Sequence, residues 1–194
     1  MSTTAAKPLA TAMTDGLSFM GFARLDGRVG VRNHLAVIST VALSNRIAEL
    51  AAQRHEAGKG EPVLQIKGEF QRGLQLADAQ LQDQVIAQLV DHPNIGAALV
   101  LCHDRRAAQT WQKLFSGKPV EVLAVMDGAG VENAIQLACR ALERLSQQIR
   151  EQVRVPCPFS ALTFALECGG SDASSAVCSN PAVGRFVDEA IANG

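Results

Sequence analysis

The chain has 194 residues, of which 47% are hydrophobic, and this is enough to build one domain with a substantial core. Its formal net charge of −1 gives no electrostatic reason to expect a nucleic acid or an anionic membrane surface as a partner. The longest apolar runs also fall short of the ~20 residues that span a bilayer, so no membrane segment is expected.

Five cysteines are present, without a CxxC pair. This usage is typical of a reduced protein, and we expect a cytoplasmic location. Residues 1–20 are rich in Ala, Thr and Ser without periodicity and are predicted to form a disordered tail. Residues 1–15 also lack the pattern of a secretory signal. Residues 21–194 are predicted to form a single domain.

Apolar periodicity predicts five strands that alternate with helices. The strands are predicted over 34–40, 62–66, 95–102, 120–126 and 160–166. The helices are predicted over 44–55, 77–91, 107–115, 131–153 and from 180 onward, with Ser44 and Asn180 as N-caps and Pro181 at the first helical position. The alternation indicates an α/β fold, a single Rossmann-like three-layer domain with a mostly parallel sheet of about five strands.

In such a sheet, ligands bind at the loops that follow the carboxyl ends of the strands. These loops are predicted at 41–45, 67–73, 103–106, 127–130 and 168–180. The chemistry of the chain is therefore sought first in these five segments.

The segment 167–181 gives the strongest functional signal. Gly169 and Gly170 let backbone N–H groups approach a ligand, and Ser171 and Asp172 add a hydroxyl and a carboxylate. A strand, a glycine turn and a helix N-terminus in succession are typical of an anion site. The alternative is a simple turn into a helix, with this carboxylate or a nearby serine as the cap.

A second signal lies in residues 21–33, where the turn Asp26-Gly27 is followed by Arg28 and Arg32. The guanidinium of either arginine is suited to a bidentate contact with a carboxylate. The alternative is a tight surface turn that leads into the first strand of the parallel sheet.

Cys102 and His103 end the third predicted strand. A Cys beside a His is compatible with a metal site or a nucleophile pair, but adjacent residues of an extended chain point to opposite faces, so Cys102 also fits a core thiol. The four histidines show no HxH or HxxxH spacing, and no GxGxxG, P-loop or GxSxG motif occurs. A zinc site, a dinucleotide cofactor and an α/β-hydrolase triad are therefore disfavoured.

Three stretches resemble, in the same order, the altronate/galactarate dehydratase family of sugar-acid hydro-lyases, which includes the large subunit of sulfolactate sulfo-lyase. They are 26–33 (DGRVGVRN), 92–100 (HPNIGAALV) and 168–184 (CGGSD to NPAVG). The resemblance covers about residues 21–193, but only the first half of the family's catalytic region. It implies β-elimination on sugar acids or related hydroxy carboxylates, with Fe²⁺ or Mn²⁺ as the cofactor.

The sequence departs from the family pattern at three loops. Family members have a Cys after the first strand, a His followed by Gly-Cys-Gly after the second, and Gly-Cys-Glu after the third. Here the corresponding residues are Val41-Ala42-Leu43-Ser44, Lys67 with Glu69-Phe70-Gln71-Arg72-Gly73, and Cys102-His103-Asp104-Arg105. A protonated Lys and a Leu cannot ligate a metal, so no metal-binding residue is assigned.

The resemblance implies an acid-anion site made of two groups of residues. Asp172 and Ser171 are the catalytic candidates, and Arg28, Arg32, Asn33, Gly169, Gly170 and Asn180 are the substrate-binding candidates. One arginine would pair with the substrate carboxylate, the glycine loop would supply N–H groups, and Asp172 would hold a hydroxyl or act as the base.

Two functions stay open. The chain is either a lyase component that takes catalytic groups from a partner subunit, or a degenerate paralogue that binds a sugar acid or a partner chain without turnover. A homodimer through an exposed apolar face is a third possibility. Turnover by this chain alone would require His103, Asp104 and Lys67 to replace the lost groups.

Overall fold

The computed structural model describes residues 16–58, 60–68, 76–167 and 169–193. Its strands are β1 (Ser18–Ala23), β2 (Val29–Gly30), β3 (His34–Ser39), β4 (Val63–Ile66), β5 (Ile95–Cys102), β6 (Val120–Ala124) and β7 (Val155–Pro158). Its α-helices are α1 (Asn45–Ala57), α2 (Leu76–Val90), α3 (Arg105–Gln112), α4 (Val131–Arg150) and α5 (Asn180–Ala192).

A parallel sheet of four strands, in the order β4-β3-β5-β6, forms the centre of the molecule. All eight residues of β5 are buried, and so are five of the six residues of β3. These two central strands are covered on both faces, which explains why they read as continuous apolar runs in the sequence. The first four predicted strands are thereby confirmed, with ends that differ by up to two residues.

Helices cover both faces of this sheet. On one face, α1 and α4 pack against side chains such as Leu35, Val37 and Leu99. On the other face, α2 and α3 pack against the alternate residues, such as Ile38 and Val100. The Rossmann-like three-layer α/β architecture is confirmed. None of the helices within the described ranges combines the length and the apolar character that a bilayer span requires.

A small antiparallel sheet, in the order β2-β1-β7, was not expected from the sequence pattern. Its hairpin turns at Gly27, whose φ of 85° lies in the left-handed region that favours glycine, as the Asp-Gly turn signal predicts. The strand β1 begins at Ser18, inside the segment 1–20 that was predicted as a disordered tail. Residues 1–15 of that segment lie outside the described residues.

The predicted fifth strand, residues 160–166, is wrong. The chain forms a short 3₁₀ helix at Phe159–Ala161 and then runs on without strand pairing, and Phe164 and Leu166 remain about half exposed. The apolar side chains pack on other aromatic rings instead, since Phe164 lies edge-on to Phe186 with ring centroids 5.0 Å apart. The loop 168–180 therefore does not follow a strand of the parallel sheet.

Several predicted helix ends and caps differ from the structure. The helix predicted over 131–153 ends at Arg150. Asn180 is not an N-cap, because the helical backbone already begins at residue 173 and passes through a π-helical stretch, Ser175–Ser179, into α5. This interruption of the α-helical hydrogen-bond ladder accommodates Pro181, which lacks an N–H. Ser44 does occupy the N-cap position of α1, but its hydroxyl donates to the Val41 carbonyl, 2.9 Å away, and caps no helical N–H.

Candidate functional site

Arg28 lies at the amino edge of the parallel sheet, and its guanidinium is engaged by two carboxylates. Nη2 is 2.6 Å from Asp26 Oδ2 and 2.5 Å from Asp91 Oδ2, and it also donates to the Asp91 carbonyl. Hydrogen bonding to Arg28 lowers the pKa of the Asp26 carboxyl. All three side chains are about half exposed, so this cluster is a surface ion-pair network that holds the β1–β2 turn against the end of α2.

Asn33 is also committed to contacts within the protein. Its Oδ1 accepts a hydrogen bond from Arg24 Nη2 at 2.9 Å, and its Nδ2 donates to the Ile149 carbonyl at 3.3 Å. A Cβ placed on Gly96 would collide with the Asn33 side chain, which shows how closely that amide is packed. Asn33 therefore ties the start of β3 to the end of α4.

Arg32 is exposed like Arg28, but within the described residues its guanidinium forms no ion pair. Its Nη1 donates to the adjacent Val31 carbonyl at 3.2 Å, and its backbone N–H donates to Asn94 Oδ1 at 3.2 Å. Of the predicted arginine group, Arg32 has the guanidinium that an incoming carboxylate reaches most easily. Like Arg28 and Asn33, it lies at the amino edge, opposite the carboxyl-edge loops.

Asp172 in the glycine segment acts as a helix cap. Its Oδ1 accepts a hydrogen bond from the Ser174 hydroxyl at 2.6 Å and from the Ser175 backbone N–H at 3.0 Å. These bonds lower the pKa of the fully exposed Asp172 carboxyl, the Ser174 hydroxyl contributing most. A lowered pKa makes this carboxylate a weaker base, so the geometry matches the alternative of a capped turn.

The rest of the glycine segment is open to solvent. A Cβ built on Gly169 or Gly170 would meet no atom within 4 Å, and Ser171 and Asn180 are exposed. Cys168 lies outside the described residues. Within the segment, the Ser175 hydroxyl donates to the Gly170 carbonyl at 2.8 Å. The assignment of these residues to an anion site stays a prediction.

The carboxyl edge of the sheet holds polar groups that the sequence did not single out. Asn45 Nδ2 donates to the Gly68 carbonyl at 2.9 Å, which joins the loops that follow β3 and β4. A Cβ on Gly68 would collide with the Ser39 carbonyl. Within the described ranges, the buried atoms Ser39 Oγ and Asn45 Oδ1 have no hydrogen-bond partner. Buried polar atoms of folded proteins usually have a hydrogen-bond partner, so these two are exceptions. Residues 69–75, which continue this loop, lie outside the described residues.

Two ion pairs among the described residues lie at this edge. Lys67 Nζ lies 3.7 Å from Glu49 Oε2, and Arg105 Nε donates to Asp127 Oδ1 at 2.8 Å. Asp104 accepts a hydrogen bond from the Ala107 N–H at 2.9 Å and caps α3. The two ion pairs thus compensate the charges of Lys67, Glu49, Arg105 and Asp127 at this edge.

The described residues do not fit an Fe²⁺ or Mn²⁺ centre. No group of three or more His, Cys, Asp and Glu side chains within the described part of the chain could hold a metal ion. Asp104 and Asp127, two carboxylates of the loops at this edge, already accept hydrogen bonds from a helix N–H and from Arg105.

Cys102 is a core residue, as the pattern of an extended strand suggested. It is fully buried, and its thiol lies 3.5 Å from the Leu123 carbonyl and 3.7 Å from the Asp104 carbonyl. Burial raises the pKa of the Cys102 thiol to about 11, with a further contribution from nearby carboxylates. The reactive thiolate is therefore disfavoured at neutral pH.

The four-stranded parallel sheet, with polar loops at its carboxyl edge, is an α/β architecture found in many enzymes. Comparison with protein-family models gives two matches. The second domain of D-galactarate dehydratase/altronate hydrolase matches residues 21–150, and the C-terminal domain of D-galactarate/altronate dehydratase matches residues 159–194. The chain belongs to this dehydratase family, which confirms the resemblance seen in the sequence.

Individual relatives agree with this assignment. The chain is 31% identical over 185 residues to altronate dehydratase of Bacillus subtilis, and 33% identical over 181 residues to altronate dehydratase of Escherichia coli. It is 31% identical over 180 residues to the (2R)-sulfolactate sulfo-lyase subunit beta of Chromohalobacter salexigens. These alignments cover 91%, 89% and 90% of this chain, but 37%, 36% and 44% of the relatives. The chain thus spans less than half the length of each.

Proposed function

We propose that the chain is a component of a lyase that acts on sugar acids or related hydroxy carboxylates by β-elimination. The observation that supports this most is its membership of a family whose matched relatives are two altronate dehydratases and a sulfolactate sulfo-lyase subunit. In such a reaction a base removes the proton α to the carboxylate, and water or sulfite leaves from the neighbouring carbon. The electrons of the broken C–H bond form the new double bond.

We further propose that catalysis requires the family region beyond the match, on whichever polypeptide carries it. The described carboxyl edge offers hydrogen-bonding groups, yet Lys67 and Arg105 are already paired with carboxylates there. The name of the sulfo-lyase relative, a subunit, supports a partner chain. Residues 162–193 also leave apolar side chains exposed, with Phe186 at 42% and Ile191 at 74%. Such a surface fits the packing of a further family region onto α5.

For the substrate carboxylate, we propose Arg32 as the main binding residue, because its guanidinium is exposed at the molecular surface. Gly169 and Gly170 would supply backbone N–H groups, and Asp172 would hold a substrate hydroxyl. Arg28 would bind the substrate only by releasing Asp26 or Asp91, with which it is paired.

The experiment that tests this binding is calorimetric titration of the chain with altronate and galactarate. We expect Arg32→Ala and Asp172→Ala to weaken binding about tenfold, the loss expected for one charge-assisted hydrogen bond. Arg46→Ala is the matched control, since Arg46 is an exposed arginine on α1. Unchanged affinity in both site variants would remove these residues from the proposed site.

The second candidate function is a degenerate paralogue that binds a sugar acid or a partner chain without turnover. It is favoured by the donor set of the described residues, which does not suit the family's metal. Turnover separates the two candidates, because the second candidate predicts none whether it binds a sugar acid or a partner chain.

A further inference from the structure

An open cleft of about 490 Å³ lies at the amino edge of the parallel sheet, away from the carboxyl-edge loops. Its walls come from the end of β1, the beginning of β5, the α3–β6 connection and the α4–β7 connection. This volume falls within the range of about 300–1,000 Å³ that small-molecule sites occupy. The cleft is therefore large enough for a small metabolite.

The lining of the cleft is apolar on some sides and cationic on another. Phe22, Val153 and Val155 contribute apolar surface, whereas the charged residues of the lining are Arg24 and Lys118, both basic and both half-buried. Carboxylates lie nearby, but they are outside the lining. A half-buried pair of cations beside apolar surface is complementary to a small organic anion.

Arg24 is held rigidly by its neighbours. Its Nε donates to the Pro93 carbonyl at 2.7 Å, its Nη1 donates to Gln152 Oε1 at 2.9 Å, and its Nη2 donates to Asn33 Oδ1 at 2.9 Å. These bonds fix the position of the positive charge without neutralising it. Arg24 therefore supplies a preorganised positive electrostatic field to the cleft. The direct contact with a bound anion would come from Lys118, the other charged residue of the lining.

Lys118 has the hydrogen-bonding capacity for that contact. Its Nζ donates to the carbonyls of His92 and Ile95, at 2.8 and 3.0 Å. An ammonium group has three N–H donors, so one is left for a ligand. Burial lowers the pKa of Lys118 to about 8; the charge of Asp91 opposes this change, and that of Arg24 adds to it. An anion beside Nζ would restore the protonated state.

We propose that this cleft binds a small carboxylate metabolite, with Lys118 donating to the carboxylate and Arg24 providing a fixed positive field. The proposal does not depend on lyase activity, because the cleft includes none of the residues assigned above to catalysis or substrate binding. A cell offers two oxyanion sources, carboxylates and phosphates, and the apolar walls favour a carboxylate on a carbon skeleton.

The test is titration of the full chain with malate, and separately with inorganic phosphate, followed by NMR of the backbone amides and by calorimetry. We expect saturable malate binding that shifts the amides of Gly96, Gly117 and Val153, which line the cleft. Lys118→Met should weaken malate binding about tenfold. Lys113→Met, at an exposed position near the end of α3, should bind as the unmodified chain does.

A second cleft variant keeps the proposal testable if Lys118→Met does not fold. Gln152→Glu places a negative charge in the cleft lining while preserving the acceptor for Arg24, so it should also weaken malate binding. The proposal is overturned if the unmodified chain shows no saturable malate binding, or if both cleft variants bind malate normally. Saturable binding of phosphate alone would overturn the assignment to a carboxylate.

Discussion

Arg24 connects distant parts of the chain at the amino edge of the sheet, through Pro93, Gln152 and Asn33. The sequence pattern drew attention to Arg28 instead, because it follows a turn signal. Two of its partners, Pro93 and Gln152, lie 69 and 128 residues away from Arg24 along the chain. No local pattern contains such information, which is why its role became visible only in the folded structure.

Lys118 is expected to lose its proton at a lower pH than an ordinary lysine does. Because burial opposes its charged form, we expect a pKa of about 8, against an ordinary value of 10.5. The measurement is a pH titration of the reductively ¹³C-methylated chain by NMR, with the Lys118 signal assigned from Lys118→Arg. A midpoint near 10.5 would contradict the half-buried placement.

The same pKa determines the sign of a stability effect. Between about pH 8 and pH 10.5 the unfolded chain holds a proton on Lys118 that the folded chain has lost. The contribution of Lys118 to the free energy of unfolding therefore rises with pH in this window. Below pH 8 both states are protonated, and the penalty for burying the charge is fully present.

At the scale of elements, long apolar stripes were predicted well and short apolar runs were not. The helix α4 buries residues at helical spacing, including Ile135, Leu142 and Ile149, and β5 is buried throughout. The run 160–166 has the same composition as a strand, but no neighbouring strand pairs with it. Composition alone cannot supply that neighbour, so the false strand also misplaced the glycine segment.

The packing of α4 on the sheet is tested by Leu142→Ala. Leu142 is fully buried in the core between α1, α4 and the sheet, so the substitution should lower the free energy of unfolding by about 2–5 kcal/mol. Urea denaturation followed by circular dichroism measures this change. Leu114→Ala, at a position 54% exposed, should change it far less. Equal effects at the two positions would refute the assigned core.

The cap formed by Asp172 is tested by local hydrogen exchange. Asp172→Ala removes the acceptor for the Ser175 N–H, so the first helical turn after residue 172 should exchange faster. Asp172→Asn keeps a side-chain oxygen and should restore most of the protection.

Since folding lowers the pKa of Asp172, the stabilisation by the charged cap is fully present above about pH 3.8. It is lost as the pH falls through the pKa of Asp172 in the folded chain.

At the scale of the whole molecule, the two family matches meet between residues 150 and 159, within the range 21–194 that sequence analysis treated as one domain. The parallel sheet and its four helices form a buried core. The residues after β7 remain mostly exposed, including Val177 at 72% and Ile191 at 74%. The family and the central sheet were predictable from motifs and periodicity. The position of the C-terminal segment depends on long-range packing, which these signals do not describe.

We propose that β-elimination requires this chain together with the family region beyond its match. The most direct measurement is release of 2-keto acid or sulfite from altronate, galactarate and sulfolactate, with Fe²⁺ or Mn²⁺ present. The chain is assayed alone and co-expressed with the part of Bacillus subtilis altronate dehydratase that lies beyond the alignment. The positive control is the same part of the Bacillus subtilis enzyme, co-expressed with the region of that enzyme that aligns with this chain.

We expect no product from the chain alone and measurable product from the completed pair. Product from the chain alone would contradict the claim, because His103, Asp104 and Lys67 would then form a working site without further groups. Absence of product from the completed pair, with an active positive control, would contradict it in the other direction and leave a sugar-acid or partner-binding paralogue.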